Sequence, residues 1–192
     1  EQCDGGRILC SFMMDEVAIR KQLDFDRVSD KFVGHVDMGV ALSDQAALPL
    51  ANEALVFMIV SLTERWKVPV AYFLVAGLHG TERANLVKLC LMKLYDIGID
   101  VVSITFDGCS ANCAMAAILG ASLNVEALRP SFPHPSNPAA EVAVFLDACH
   151  MLKLMQLNAV SITIVNEVLT HLIGTQLFES LREHALDTEL NN

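Results

Sequence analysis

Two aspartates close apolar, strand-forming runs: Asp15 follows Ile8 to Met14 (ILCSFMM), and Asp107 follows Val101 to Phe106 (VVSITF). The second run breaks at once into Gly108-Cys109-Ser110-Ala111-Asn112. A buried strand that delivers a carboxylate at its tip leaves it at the mouth of a cleft. Two such tips side by side suit Mg²⁺ or Mn²⁺, because a hard ion takes oxygen ligands and keeps waters that a phosphate can displace. Two ions about 3.5–4 Å apart would activate a water or 3′-hydroxyl and stabilise the leaving oxygen of a phosphodiester. Taken singly, each acid has a plainer reading. Asp-Gly after a strand is a turn dipeptide, and Asp15 can be a solvated strand end. The paired placement is what points to a site.

Other chemistry-bearing groups are weaker candidates. Asp147 ends the apolar run Glu141 to Leu146 (EVAVFL) and reads as a helix cap that could also face a metal cleft. His150 reads as a structural histidine, and Met13, Met14, Met151 and Met155 as core. Cys109, Cys113, Cys149 and His150 could be imagined around zinc, but their C-x3-C spacing is loose and small core residues fit them better. The six cysteines include no CxxC pair. They read as free thiols of a reducing compartment. Gly34, Gly39, Gly77 and Gly80 fit no phosphate-loop or dinucleotide pattern, which disfavours a nucleotide-binding α/β enzyme.

The elements that must position these groups come from a chain of 192 residues, 53% hydrophobic and 19% charged. That length suits one domain with a proper core. Mean hydropathy is +0.43. Charges or prolines cut every apolar run short of the roughly 18 residues of a membrane span, and Glu1 to Arg7 has no secretory pattern. The excess apolarity therefore reads as buried strands and helices, or as surface meant for partners. A net charge of −10 argues against this chain alone gripping a nucleic-acid backbone.

Along the chain, the spacing predicts a first strand to Met14 and a twisted strand or short hairpin over Ala18 to Asp30. A half-exposed strand follows over Lys31 to Gly39, then a loop or short helix to Asn52. Ala54 to Leu62 and Val68 to Ala76 form a hairpin, with Pro69 at a strand start or an edge. A helix starts at the N-cap Thr81 and ends at Gly98. It buries Val87, Cys90, Leu91, Leu94 and Ile97 and turns Arg83, Lys88, Lys93 and Asp96 to water. Strand Ile99 to Phe106 and helix Ser110 to Leu119 come next. Leu128 to Ala139 holds four of the six prolines and reads as a loop. Strand Glu141 to Leu146 and a further helix follow. The order β-β-β-α-β-α-β-α, with acids at the tips of the first and fourth strands, is that of an α/β RNase H-like fold. A mixed five-stranded sheet flanked by helices would make those two tips neighbours.

At these residues the sequence resembles the transposases of the Drosophila P element and their THAP-domain-associated relatives in animals. The matching segments are FMMDEVAIRKQLDFD, FVGHVDMG, ALVFMIVSLTERWKVPVAYFLVAG, ERANLVKLCLMKLYDIGIDVVSITFDGCSAN and VAVFLDACHMLKL, in the family's order from Arg7 to Leu154. The resemblance implies an RNase H-like domain of the DDE/DDD type that cuts and rejoins DNA with Mg²⁺ or Mn²⁺, in the nucleus. By motif it makes Asp15 and Asp107 the first two acids, catalytic and metal-binding. The family's third acid, a glutamate, lies beyond a guanine-nucleotide-binding insertion for which this chain has no room. Residues 1–154 are thus expected to form the core and 155–192 a helical tail outside the family pattern, with Val165, Leu169, Leu172 and Ile173 at helical spacing. Glu167 stands where the third acid of a minimal RNase H-like domain would fall, but no family motif surrounds it. The expectation is a truncated or degenerate copy, reaching DNA through parts of a full-length transposase that are absent here. Its alternative is a non-catalytic, domesticated module that keeps the fold and forms homo- or hetero-oligomers through apolar surface or the tail.

Overall fold

Alternation of side chains sets the main sheet. In β1 (Ile8–Ala18), Cys10, Phe12 and Met14 are buried while Met13, Asp15 and Val17 are exposed. In β4 (Glu53–Ser61), every second residue from Leu55 to Ser61 is buried. A strand with a period of two and one buried face presents the other to a second environment. The computed structural model describes residues 6–28, 30–39 and 48–157. Among these, β2 (Asp24–Asp26) and β3 (Lys31–Val33) form a separate two-stranded ribbon. The remaining strands are β5 (Lys67–Val75), β6 (Ile99–Phe106), β7 (Ser131–His134) and β8 (Asn137–Leu146), and the helices are α1 (Gly80–Asp96), α2 (Ser110–Leu119) and α3 (Ala148–Leu157).

The six-stranded sheet runs in the order β5-β4-β1-β6-β8-β7. β1, β4 and β5 form an antiparallel meander, and β6 and β8 lie parallel to β1. This mixed sheet flanked by helices is the RNase H-like arrangement that the element order implies. It has six strands rather than five, because the proline-rich stretch expected to be a loop forms β7 and the start of β8. Proline has no N–H to give a ladder, so it survives where a strand lies at an edge or a register breaks. β7 is the edge strand, and its pairing with β8 shifts register between Pro133 and His134. Pro69 obeys the same rule, lying on edge strand β5 where the pairing with β4 shifts between Phe57 and Met58. Lys31 to Gly39 is less regular than expected, continuing past β3 only as isolated bridges at His35 and Asp37.

Helices α1 and α2 cover one face. The core there joins Phe12, Phe57, Ile104 and Phe106 from the strands to Ala84, Val87 and Leu91 of α1 and Met115 and Ala116 of α2. The helices cross at Gly80, where an added Cβ would stand 2.7 Å from the Ala114 Cβ and 2.9 Å from the Met115 nitrogen. Only a residue without a side chain allows that approach. The N-cap of α1 is His79 rather than Thr81; the Glu82 carboxylate accepts a bond from the His79 N–H at 2.9 Å. At the other end Ile97 is the C-cap and is 72% exposed, so it leaves the apolar stripe. Gly98 takes the positive φ of 88° expected of a terminating glycine. Arg83, expected in water, is 4% exposed. The opposite face of the sheet leaves Met13, Val17, Tyr72 and Phe145 exposed. No described helix is long and apolar enough to cross a membrane.

Candidate active site

The register of the three parallel strands sets the site. Met13 of β1 pairs with Thr105 of β6, and Thr105 pairs with Phe145 of β8. Two residues further along each chain come Asp15, Asp107 and Asp147. Asp15 shares the face of Met13, away from α1 and α2, because strand side chains alternate with period two, while Asp107 and Asp147 lie just past the ends of β6 and β8. Neighbouring strands lie about 4.8 Å apart, so the last pair of the ladder, Met13 and Thr105, sets Asp15 and Asp107 on neighbouring segments two residues beyond it. Both line a cleft of about 380 Å³ with Met13, Val56, Met58, Asp147, His150 and Lys153.

Asp107 directly follows β6, as its sequence predicts. Asp15 does not end its strand: β1 runs on to Ala18, because it keeps pairing with β4 through Asp15–Val56 and Ala18–Glu53 after parting from β6. Asp15 thus stands at the tip of the parallel segment and inside the antiparallel one. Its side chain is exposed, and its Oδ1 accepts a bond from the Glu16 N–H at 2.8 Å.

Asp107 is held more firmly. Its Oδ1 accepts from the Cys109 N–H at 3.1 Å, an Asx turn, and from the Asn112 side-chain amide at 2.7 Å. Oδ2 lies 4.0 Å from His150 Nε2. Partial burial pushes the Asp107 carboxyl up, but the bonds from Cys109 and Asn112 and the charge of a protonated His150 outweigh it and hold Asp107 below its ordinary value. The linkage sign follows. A carboxyl depressed in the fold adds stability that is present above its unfolded value near pH 3.9, roughly, and is lost as pH falls through the lower folded value. In urea melts taken down a pH series, the gap between wild type and Asp107→Asn should therefore close on the acid side. A gap that stays constant with pH would contradict the assignment.

Asp147 has both of the roles its position allows. Its Oδ1 caps α3 by accepting from the Cys149 N–H at 2.9 Å, and it borders the cleft. His150 is not a core histidine; at 36% side-chain exposure it stands at the cleft with Lys153. Met13 is likewise at the cleft and 38% exposed, whereas Met14 is core at 4%. Burial, reinforced by the Asp107 charge, raises the thiols of Cys109 and Cys113, which makes them poor nucleophiles. Glu167 and residues 158–192 lie outside the described residues, as do the side chains of Leu154 to Leu157.

The donor set fits a hard divalent cation. It offers carboxylate oxygens, one held ionised, with room for water, and Mg²⁺ is commonly held by one or two carboxylates plus waters or phosphate. Among the described residues no three acidic, histidine or cysteine side chains converge on a single metal position. The set is therefore a partial one. Sequence reasoning missed the buried pair Arg83 and Asn112 behind Asp107, although Arg83 lies four residues before Val87 on the apolar stripe of α1.

Residues 1–120 match the family described as TNP-like, RNase H N-terminal domain. The chain belongs to this family. It is also 33% identical over 147 residues to DNA transposase THAP9 of Homo sapiens, a match that covers 77% of this chain and 16% of that protein. The structure resembles the Drosophila P element transposase strand transfer complex with a TM-score of 0.60 at 22% identity, over 81% of this chain and 30% of that one. At that identity the likeness shows the fold. The chain spans under a fifth of the human relative's length, and the sheet order and the family match agree on a TNP-like RNase H domain.

Proposed function

We propose that this chain is the RNase H-like catalytic core of a P-element-type DNA transposase, with Asp15 and Asp107 as ligands for Mg²⁺ or Mn²⁺. The observation that carries the reading is the strand register, which supports adjacent carboxylates on one cleft at the ends of parallel strands. A divalent ion bound there supplies a Lewis acid for in-line phosphodiester cleavage and strand transfer. Asp107, kept ionised, provides a ready ligand oxygen, and Asp15 provides a second from the neighbouring strand. Asp147 adds a further carboxylate and His150 an imidazole to the lining of the same cleft. With a net charge of −10, the chain brings metal ligands rather than phosphate-gripping cations. DNA binding in this reading draws on other segments of a longer transposase, and the two-acid set is incomplete.

A second reading is favoured by the open sheet face with Met13, Val17, Tyr72 and Phe145. An apolar face of this kind suits contact with another protein, and a domesticated, non-catalytic module would use it. A thermal-shift titration with Mn²⁺, run on wild type, Asp15→Ala and Asp107→Ala, separates the two. The catalytic reading expects the wild-type midpoint to rise with Mn²⁺ concentration, as a ligand of the folded state requires, and the rise to vanish in either variant. A wild-type midpoint indifferent to millimolar Mn²⁺ leaves the interaction module as the better account.

A further inference from the structure

Behind Asp107, on the helix-covered side of the sheet, lies a line of polar side chains that the metal reading does not use. Arg83 of α1 is buried, with a side-chain exposure of 5%. Its Nε donates to the Leu78 carbonyl at 3.1 Å, its Nη1 donates to Asn112 Oδ1 at 2.9 Å, and its Nη2 lies 2.6 Å from Glu16 Oε1. The last is an ion contact rather than an aligned hydrogen bond, since Glu16 Oε1 has no hydrogen-bond partner of good geometry. Asn112, 4% exposed on α2, passes its amide on to Asp107 Oδ1.

The chemistry of these groups gives the line a direction. A guanidinium has donors and no acceptor, so Asn112 can meet Arg83 only with its carbonyl oxygen. The amide nitrogen must then point the other way, where it can only donate. A carboxylate oxygen is what accepts there. Glu16 offsets the Arg83 charge inside the fold, and it can do so because consecutive strand residues face opposite ways: Asp15 goes to the cleft and Glu16 to the helices.

We propose that Glu16, Arg83 and Asn112 form a relay that positions Asp107, tying down Oδ1 from the body of the protein and leaving Oδ2 for the cleft. The relay rests on the reading of Asp107 as a metal ligand only for its purpose; its effect on the Asp107 side chain is independent of metal. Outer partners of a metal ligand typically change metal affinity by about 10–100-fold when removed. Glu16, Arg83 and Asn112 are positioning residues in this scheme, and none touches the ion.

The test uses the full chain with two variants. Asn112→Ala removes the donor to Asp107 while Arg83 keeps Glu16 and Leu78. The triple variant Glu16→Leu, Arg83→Met, Asn112→Leu replaces the whole polar line with apolar groups, an exchange that buried ionic networks often tolerate without loss of stability. The first readout, without metal, is the Asp107 Hα–Hβ couplings by NMR, which report whether χ1 holds one rotamer. The second is Mn²⁺ affinity from water-proton relaxation. The relay predicts a single Asp107 rotamer in wild type, averaged couplings in both variants, and Mn²⁺ binding weaker by roughly tenfold or more. Asp107 couplings unchanged in a folded Asn112→Ala chain overturn it, whether or not the triple variant folds. If wild type binds no Mn²⁺, the catalytic reading is lost, and the couplings still decide the relay.

Discussion

Arg83→Met alone is expected to lower the stability of the chain by about 3 kcal/mol or more, read as a fall in the urea midpoint at unchanged m-value. Breaking one partner of a buried ion pair costs about 3–5 kcal/mol, because the other charge is left inside without compensation. Here the loss also strips the Leu78 carbonyl and Asn112 Oδ1 of their donors. The Glu16 side chain keeps 23% exposure, so some water reaches it and the lower end of the range applies. The contrast is Arg129, paired with Glu141 at 3.4 Å with side chains 55% and 47% exposed. Exposed pairs contribute about 0–1 kcal/mol, so Arg129→Met should barely move the midpoint. If Arg83→Met and Arg129→Met behave alike, the buried network stabilises nothing.

The same residue shows where the sequence was readable and where it was not. The apolar stripe of α1 was visible from Val87 through Leu94, yet charge alone assigned Arg83 to water. Its position four residues before Val87 placed it on that stripe, and a charge on a buried stripe calls for partners elsewhere. Those partners, Glu16 and Asn112, are 67 and 29 residues away along the chain. No local pattern reports such pairing. The meander, the parallel crossovers and the position of Asp107 after β6 were legible because each follows from a short apolar run and its connection; the position of Asp15 inside β1 was not, since the strand runs on to Ala18 along β4. The edge strand β7 was not, since proline weighs against a strand until the edge position is known. His150 read as a structural histidine, and the direction in which α3 leaves Asp147 puts it at the cleft instead.

Phe57→Ala is expected to cost about 3–5 kcal/mol, the usual range for removing a buried phenylalanine. Its ring is fully buried at the middle of β4 and makes edge contacts to Phe12 of β1, with centroids 4.9 Å apart, and to Phe73 of β5, 5.3 Å apart. Three rings thus bind three strands, and the cavity left by one would lie where α1 and the sheet meet, with little freedom to collapse. For a domain of this size about 1 kcal/mol corresponds to roughly 2–4 °C in melting temperature, so the midpoint should fall by roughly 10 °C. Tyr72→Ala, on the open face at 73% exposure, should change stability by no more than about 0.5 kcal/mol. Phe57 pairs with Met14, and its neighbour Val56 pairs with Asp15 on the cleft side. The core face and the cleft face are therefore separate consequences of one strand. Well below its lowered midpoint, the Phe57→Ala chain should keep the metal response of wild type. If it lost that response while still folded, the placement of Asp15 would depend on the packing beneath it and not on strand register alone.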